Sequence, residues 1–163
     1  MTTILRPARP NDLEAIMVIE NASFLRDAWS SEAMLRDLVN PQCHYLVAER
    51  NGFPGEIAAY AGLFAPQGAH EADIQTIAVA ANARRAGLGR TLMLALIDEA
   101  GARGAAELFL DVRVDKPGAR ALYESLGFVQ VGIRAGYYQP DNVDAVLMRL
   151  VIVSARARAV VGS

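Results

Sequence analysis

Ile77-Ala-Val-Ala-Ala-Asn-Ala-Arg84-Arg85-Ala-Gly87-Leu-Gly89-Arg90 is the stretch on which the fold turns. The apolar run from Ile74 to Val79 predicts a buried strand. A few residues later an apolar-faced helix is predicted, from the glycines at 87 and 89 to about Gly101. The first N–H groups of a helix lack intrahelical partners, and with the helix dipole they make a site for an anion. Gly87 and Gly89 let the main chain come close to such an anion, and Arg84, Arg85 and Arg90 add positive charge beside it. Taken alone, two glycines fit a softened turn before an ordinary helix at least as well. A Walker phosphate loop is excluded because no Gly-Lys-Ser/Thr follows, and the dinucleotide fingerprint because its Gly-x-Gly-x-x-Gly is absent.

Upstream, Thr3 to Arg6 predicts a short strand, and Asn11 followed by Glu14 a cap-like helix start. Leu13, Ile16, Met17 and Glu20 then recur at helical spacing. Ser30 is placed to cap a second helix through Val39, which Pro41 stops. Tyr45 to Glu49 and Ile57 to Phe64 predict two strands about a turn at Asn51 to Gly55. Downstream, Leu108 to Val112 predicts a strand and Pro117 to Leu126 a short helix that exits at Gly127. Phe128 to Ile133 and Val146 to Leu150 predict two closing strands around a turn-rich Gly136–Asn142 segment. The order β-α-α-β-β-β-α-β-α-β-β predicts one α/β domain over 1–153, a mixed central sheet with helices on both faces. Residues 154–163 are expected to form a small, basic, frayed tail.

Apolar types make up 53% of the 163 residues and charged types 21%, which is enough for a full core and too apolar for disorder. The single cysteine, Cys43, excludes an internal disulfide and a cysteine-cluster metal site. His44 and His70 lack a two-histidine helical spacing, so no metal is expected, and both read as surface or loop residues. A net charge of −2 gives no global field for nucleic acid. No apolar run reaches membrane-spanning length, and no basic-then-apolar signal opens the chain, so a cytoplasmic location is expected. Asp111, near the end of a predicted strand, and Tyr123, on the next helix, offer a base and an acid for one proton-transfer cycle. Each also has a structural reading, Tyr123 as a core aromatic beside Leu122 and Leu126, Asp111 as a strand-end partner of Arg113.

Arg84-x-x-Gly87-x-Gly89 resembles the coenzyme-A motif of the GCN5-related N-acetyltransferase (GNAT) superfamily, and Ala121-Leu-Tyr-Glu-Ser-Leu-Gly-Phe128 its late helix-to-strand motif. With the element order, the resemblance covers nearly the whole chain. Within the superfamily the chain looks like the bacterial ribosomal-protein-alanine N-acetyltransferases, the RimI group. Ile77-Ala-Val79, Arg85-x-Gly-Leu-Gly-Arg90, Asp111-Val-Arg113, Tyr137-Tyr138 and Trp29-Ser30 carry that likeness. The resemblance implies acetyl-CoA as acetyl donor, held in a splay between the strands at 74–79 and 108–112. Its pyrophosphate would meet Arg84, Arg85, Ala86, Gly87, Leu88, Gly89 and Arg90, and its pantetheine arm Ile77, Ala78 and Val79. Asp111 would act as base and Tyr123 as acid, with Trp29, Tyr137 and Tyr138 over the acceptor groove. Two positions depart from the group: Asp111 stands where Glu is usual, and Lys116 where an Asn is expected to contact the cofactor.

The expected acceptor is the N-terminal α-amine of an alanine-starting ribosomal protein. An α-amine of pKa ~7.8 costs about 1 kcal/mol to deprotonate at pH 7, whereas a lysine amine at ~10.4 costs about 4.6 kcal/mol. The short Asp111 suits the easier task. Acetylation of a small-molecule amine, and a non-catalytic acyl-CoA-binding domain, stand as alternatives on the same fold.

Overall fold

The computed structural model describes residues 2–152, so the predicted tail at 154–163 and the last position of the expected domain lie outside the described residues. The elements are β1 (Thr3–Pro7), α1 (Leu13–Ser23), α2 (Ser31–Val39), β2 (Cys43–Arg50), β3 (Ile57–Phe64), β4 (Glu71–Val79), α3 (Leu88–Ala102), β5 (Glu107–Arg113), α4 (Pro117–Ser125), β6 (Val129–Tyr138) and β7 (Val143–Val151). Seven strands make one sheet in the order β1-β2-β3-β4-β5-β7-β6. Every neighbouring pair is antiparallel except β4–β5, which makes the sheet mixed as expected.

Local sequence accounts for several boundaries. The Ser30 hydroxyl accepts the Ala33 N–H at 3.1 Å and starts α2 where the sequence places it. Pro117 opens α4 at its first position. The start of α1 differs from expectation, because a 3-10 turn over Pro10–Asp12 precedes the helix and Asp12, not Asn11, anchors it. The Asp12 carboxylate accepts the Arg9 N–H at 2.7 Å and both arms of the Arg6 guanidinium at 2.8 and 2.9 Å. Hydrogen bonding from Arg6 holds this carboxyl below the usual aspartate range. A charge-assisted tie to β1 therefore outweighs the local cap signal.

The two faces of the sheet carry separate cores. On one, Leu92, Met93, Leu96 and Ala100 form a fully buried stripe at helical spacing along α3, packed with Leu63, Leu108 and Phe128. On the other, Ile16 and Ile19 of α1 and Met34 of α2 pack on Val47, Tyr60 and Ala78. Side chains alternate across a strand, so Leu108, Leu110 and Val112 face α3 while Asp111 and Arg113 face the α1–α2 side.

Most strand ends fall within one or two residues of the sequence reading, but three differ by more, and one histidine is placed differently. β4 begins at Glu71 rather than Ile74, because Glu71, Ala72 and Asp73 pair with Glu107, Leu108 and Phe109. β6 continues to Tyr138 through two register irregularities, so Gly136 to Tyr138 belong to the strand and the turn is confined to 139–142. The Gly136 N–H donates to the Asp144 carboxylate at 2.8 Å, which keeps that segment beside β7. β7 accordingly starts at Val143. His44 lies within β2, half-buried with its imidazole 3.8 Å from Glu99, rather than in a loop, whereas His70 is exposed.

Candidate active site

The β4–β5 ladder ends after three residue pairs, at Asp73 and Phe109. Beyond that point β4 stays paired with β3 as far as Val79, and β5 with β7 as far as Arg113. The two central strands therefore diverge, and a cavity of about 650 Å³ opens between them. Ile74 to Val79 form one wall and Leu110 to Arg113 the other. Strand backbone carries obligatory donors and acceptors. An extended ligand with amides of its own can complete the interrupted ladder along β4.

At the mouth of the cavity, the chain leaves β4 through a 3-10 turn at Ala81–Ala83 and enters α3. Arg85 and Gly87 both take left-handed backbone, with φ of 68° and 76°. That conformation suits glycine at 87, and a Cβ built there would meet open space. The positive end of α3, with its first N–H groups free of intrahelical partners, begins directly after this turn. Arg84, Arg85 and Gly89 line the cavity, and the Arg84 Nε donates to the Val79 carbonyl at 3.3 Å. Arg90 is turned to the Ser125 hydroxyl at 3.0 Å. Leu88 is buried in the core beneath the turn, while Ala86 and Gly87 lie exposed on its outer side.

Asp111 and Tyr123 reach the cavity from different sides. Asp111 projects from the α1–α2 face of β5, while Tyr123 sits on α4 within the core cluster on the α3 face. Tyr123 is 8% exposed, its ring stands edge-on to Phe128 at 6.1 Å, and the residue lines the cavity. Burial pushes the phenol up to about 12, so it stays protonated throughout the neutral range. Core aromatic and cavity group are thus one residue. The Asp111 carboxylate accepts the Arg134 Nε of β6 at 3.0 Å. This replaces the Asp111–Arg113 pairing considered from sequence. Arg113 turns instead to Asp115, which its fork binds at 2.9 Å twice.

Of the other expected site residues, Ile77, Ala78, Val79, Trp29, Lys116 and Tyr138 line the cavity. Tyr137 is half exposed and stands edge-on to Tyr138 at 5.0 Å, outside the lining. Lys116 sends its amine toward α1, donating to the Ser23 carbonyl at 3.4 Å and sitting 4.9 Å over the Phe24 ring.

Several lining groups were not singled out from sequence, and Glu20 is the most deeply buried carboxylate among them. Glu20, in the last turn of α1, is 1% exposed yet lines the cavity. Its carboxylate accepts the Tyr60 hydroxyl, the Thr76 hydroxyl at 3.0 Å and the Trp29 N–H at 2.9 Å. A carboxylate among the apolar positions Leu13, Ile16 and Met17 was the available signal. Its burial is compensated by three donors from β3, β4 and the α1–α2 loop. Those bonds tie Trp29 to the cavity wall. Among the described residues no cluster of His, Cys, Asp and Glu could hold a metal ion, and no helix is long and apolar enough to cross a membrane.

Comparison with known proteins adds the chemistry. The Acetyltransferase (GNAT) family pattern matches residues 13–128. The N-alpha-acetyltransferase RimI of Mycobacterium tuberculosis is 38% identical over 125 residues, 76% of this chain and 75% of that one. The crystal structure of the ribosomal-protein-S18-alanine N-acetyltransferase from Escherichia coli superposes with a TM-score of 0.80 at 34% identity, covering 94% of this chain and 96% of that one. Arabidopsis thaliana NAA60, solved in complex with acetyl-CoA, shares the fold with a TM-score of 0.82 at 18% identity, over 93% and 99% of the two chains.

Proposed function

Because the chain belongs to the GNAT acetyltransferase family, we propose that it moves the acetyl group of acetyl-CoA to the N-terminal α-amine of a protein, with an alanine-starting ribosomal protein as first candidate. The observation that carries this reading is the β4–β5 ladder that stops after three pairs, with the α3 N-terminus at its mouth. The opening takes a long ligand with an anionic end, an amide-bearing arm and a reactive tip. Acetyl-CoA supplies an acetyl thioester at that tip. The turn at 84–89 and its arginines receive the phosphates, and the β4 edge receives the arm. Backbone donors at Ile77 and Val79 are aimed at the thioester carbonyl, where negative charge develops.

The acceptor amine enters from the α1–α2 side, where Trp29 and Tyr138 stand. Asp111 takes one proton from the nitrogen as it bonds to the carbonyl carbon, and the carbon–sulfur bond then breaks. Tyr123 gives its proton to the departing sulfur, so the products are an N-acetyl amine and the free thiol of CoA. No covalent enzyme intermediate is needed, because both reactants are held together in one cleft. The reaction belongs in the cytoplasm, where acetyl-CoA and ribosomal proteins meet.

A panel assay tests the acceptor. An alanine-starting peptide, the same peptide N-terminally blocked but containing lysine, and a set of small amines are incubated with acetyl-CoA and followed by mass spectrometry. Acetylation of the free N-terminus alone is the expected result, and turnover confined to a small amine would contradict it.

The donor site has its own test at Gly89. A Cβ there meets only Leu122 Cδ2 at 3.4 Å, ordinary contact, and Gly89 has no left-handed φ, so Gly89→Val is expected to fold. A branched side chain nevertheless stands where an anion approaches the helix start. Calorimetry should show acetyl-CoA bound at least about tenfold more weakly. Unchanged affinity in the folded variant would remove the phosphates from this turn.

A further inference from the structure

Arg113 ends β5 on the acceptor side of the cavity, and three connections converge on it. Its guanidinium binds Asp115 of the β5–α4 turn through a two-pronged pair at 2.9 Å. It also faces Asp27 of the α1–α2 loop at 3.6 Å and Asp141 of the β6–β7 turn at 3.8 Å. The Tyr138 ring lies 5.3 Å from its centre. The Arg113 side chain is only 12% exposed, and Asp27 only 16%, so solvent screens that pair less than an open surface pair, whereas Asp115 at 51% is open. Two further ties close the same region: Arg26 to Asp141 at 3.4 Å, and Lys116 to the Ser23 carbonyl at 3.4 Å.

The arrangement has a position as well as a strength. A second hollow of about 290 Å³ lies beside the main cavity. Ser23, Phe24, Asp27, Arg113 and Lys116 line both, so the Arg113 cluster forms the partition between them. Neither Arg113 nor its three carboxylates lies on the β4 edge or the α3 turn, where the donor is placed. Without the guanidinium, three carboxylates from three separate segments would face one another with Arg26 and Lys116 alone to balance them. A planar guanidinium with five donors can engage several carboxylates at once, whereas a lysine supplies only a point charge.

We propose that Arg113 is a positioning residue for the acceptor: it clasps the α1–α2 loop and the β6–β7 turn to the end of β5, and so fixes the two walls between which the acceptor amine approaches. The clasp rests on the acceptor side assigned above. It acts through Asp27 on the loop that carries Trp29 and through Asp141 on the turn that follows Tyr138, and it touches neither the thioester nor the donor's phosphates. Losing it should therefore cost acceptor recognition and leave donor recognition alone.

The test is steady-state kinetics of the full chain on Arg113→Ala, Arg113→Lys and Asp27→Asn, with hydrogen exchange followed over residues 23–30. Arg113→Ala is expected to raise KM for an alanine-starting peptide about tenfold, with KM for acetyl-CoA within about twofold. Arg113→Lys should restore part of the loss, and residues 23–30 should exchange faster in Arg113→Ala while β3 keeps its protection. Asp27→Asn removes one arm and leaves β5 intact, so it should reproduce part of the KM shift even if Arg113→Ala fails to fold. Equal rises in both KM values, or parental kinetics in both Arg113→Lys and Asp27→Asn, would overturn the clasp. If the parent acetylates no peptide, the acceptor reading fails separately. The clasp is then decided by exchange alone, where faster exchange over 23–30 supports it and unchanged exchange in Asp27→Asn and Arg113→Lys overturns it.

Discussion

Tyr123→Phe is expected to lower kcat about a hundredfold, the scale of a lost general acid, while stability barely changes. The ring is what packs: it is 8% exposed and stands against Phe128, and phenylalanine keeps that contact. The residue also lines the cavity, and on this account the hydroxyl is its reacting end. A phenol pushed to about 12 by burial holds its proton at neutral pH, so no limb of the pH–rate profile near neutrality belongs to it. KM for acetyl-CoA should stay close to that of the parent, because the hydroxyl acts on the leaving sulfur rather than on the phosphates. Equal kcat in variant and parent would return Tyr123 to a purely structural role.

The second large effect is expected at Asp111. Asp111→Asn should lower kcat/KM at pH 7 by at least about tenfold, toward the lower end for a lost base, because some α-amine is already neutral there. The loss should shrink as pH rises and solution deprotonates more of the amine. Aspartate is one C–C bond, about 1.5 Å, shorter than glutamate, so Asp111→Glu is expected to keep or raise activity by extending the carboxylate's reach. The structural alternative makes Asp111 only the partner of Arg134, whose side chain is 50% exposed. An ion pair that open contributes about 0–1 kcal/mol. On that view Asp111→Asn and Arg134→Gln should have the same small effect, and the double variant no more. A pH series on the two single variants separates the readings, since a lost ion pair leaves the shape of the profile unchanged.

The parts of this site that depend on neighbouring residues could be read from the chain itself. The strand at 74–79, the glycine turn and the start of α3 follow one another directly, and Ser30 caps α2 through a contact three residues away. What depends on pairing between distant segments could not be read that way. β4 gains its first three residues from a parallel register with β5, which lies beyond α3. Asp111 finds Arg134, twenty-three residues on, in preference to Arg113 two residues away. Arg113 and Asp111 share a face of β5, so spacing alone made them partners; the arrival of β6 and of three acidic segments decided otherwise. Glu20 was hidden for a related reason. Its position in the helical repeat matched the core stripe, and only the three-dimensional arrangement brings Tyr60, Thr76 and Trp29 to its carboxylate.

A crystal structure of the protein with acetyl-CoA measures the central claim, that the interrupted ladder between β4 and β5 is the donor site. The account predicts the pantetheine amides bonded to the β4 backbone between Ile74 and Val79. It also predicts the pyrophosphate at the 84–89 turn, and the Tyr123 hydroxyl within hydrogen-bonding reach of the thioester sulfur. Acetyl-CoA seated outside this cleft, or lying in it with the sulfur remote from Tyr123, would contradict it.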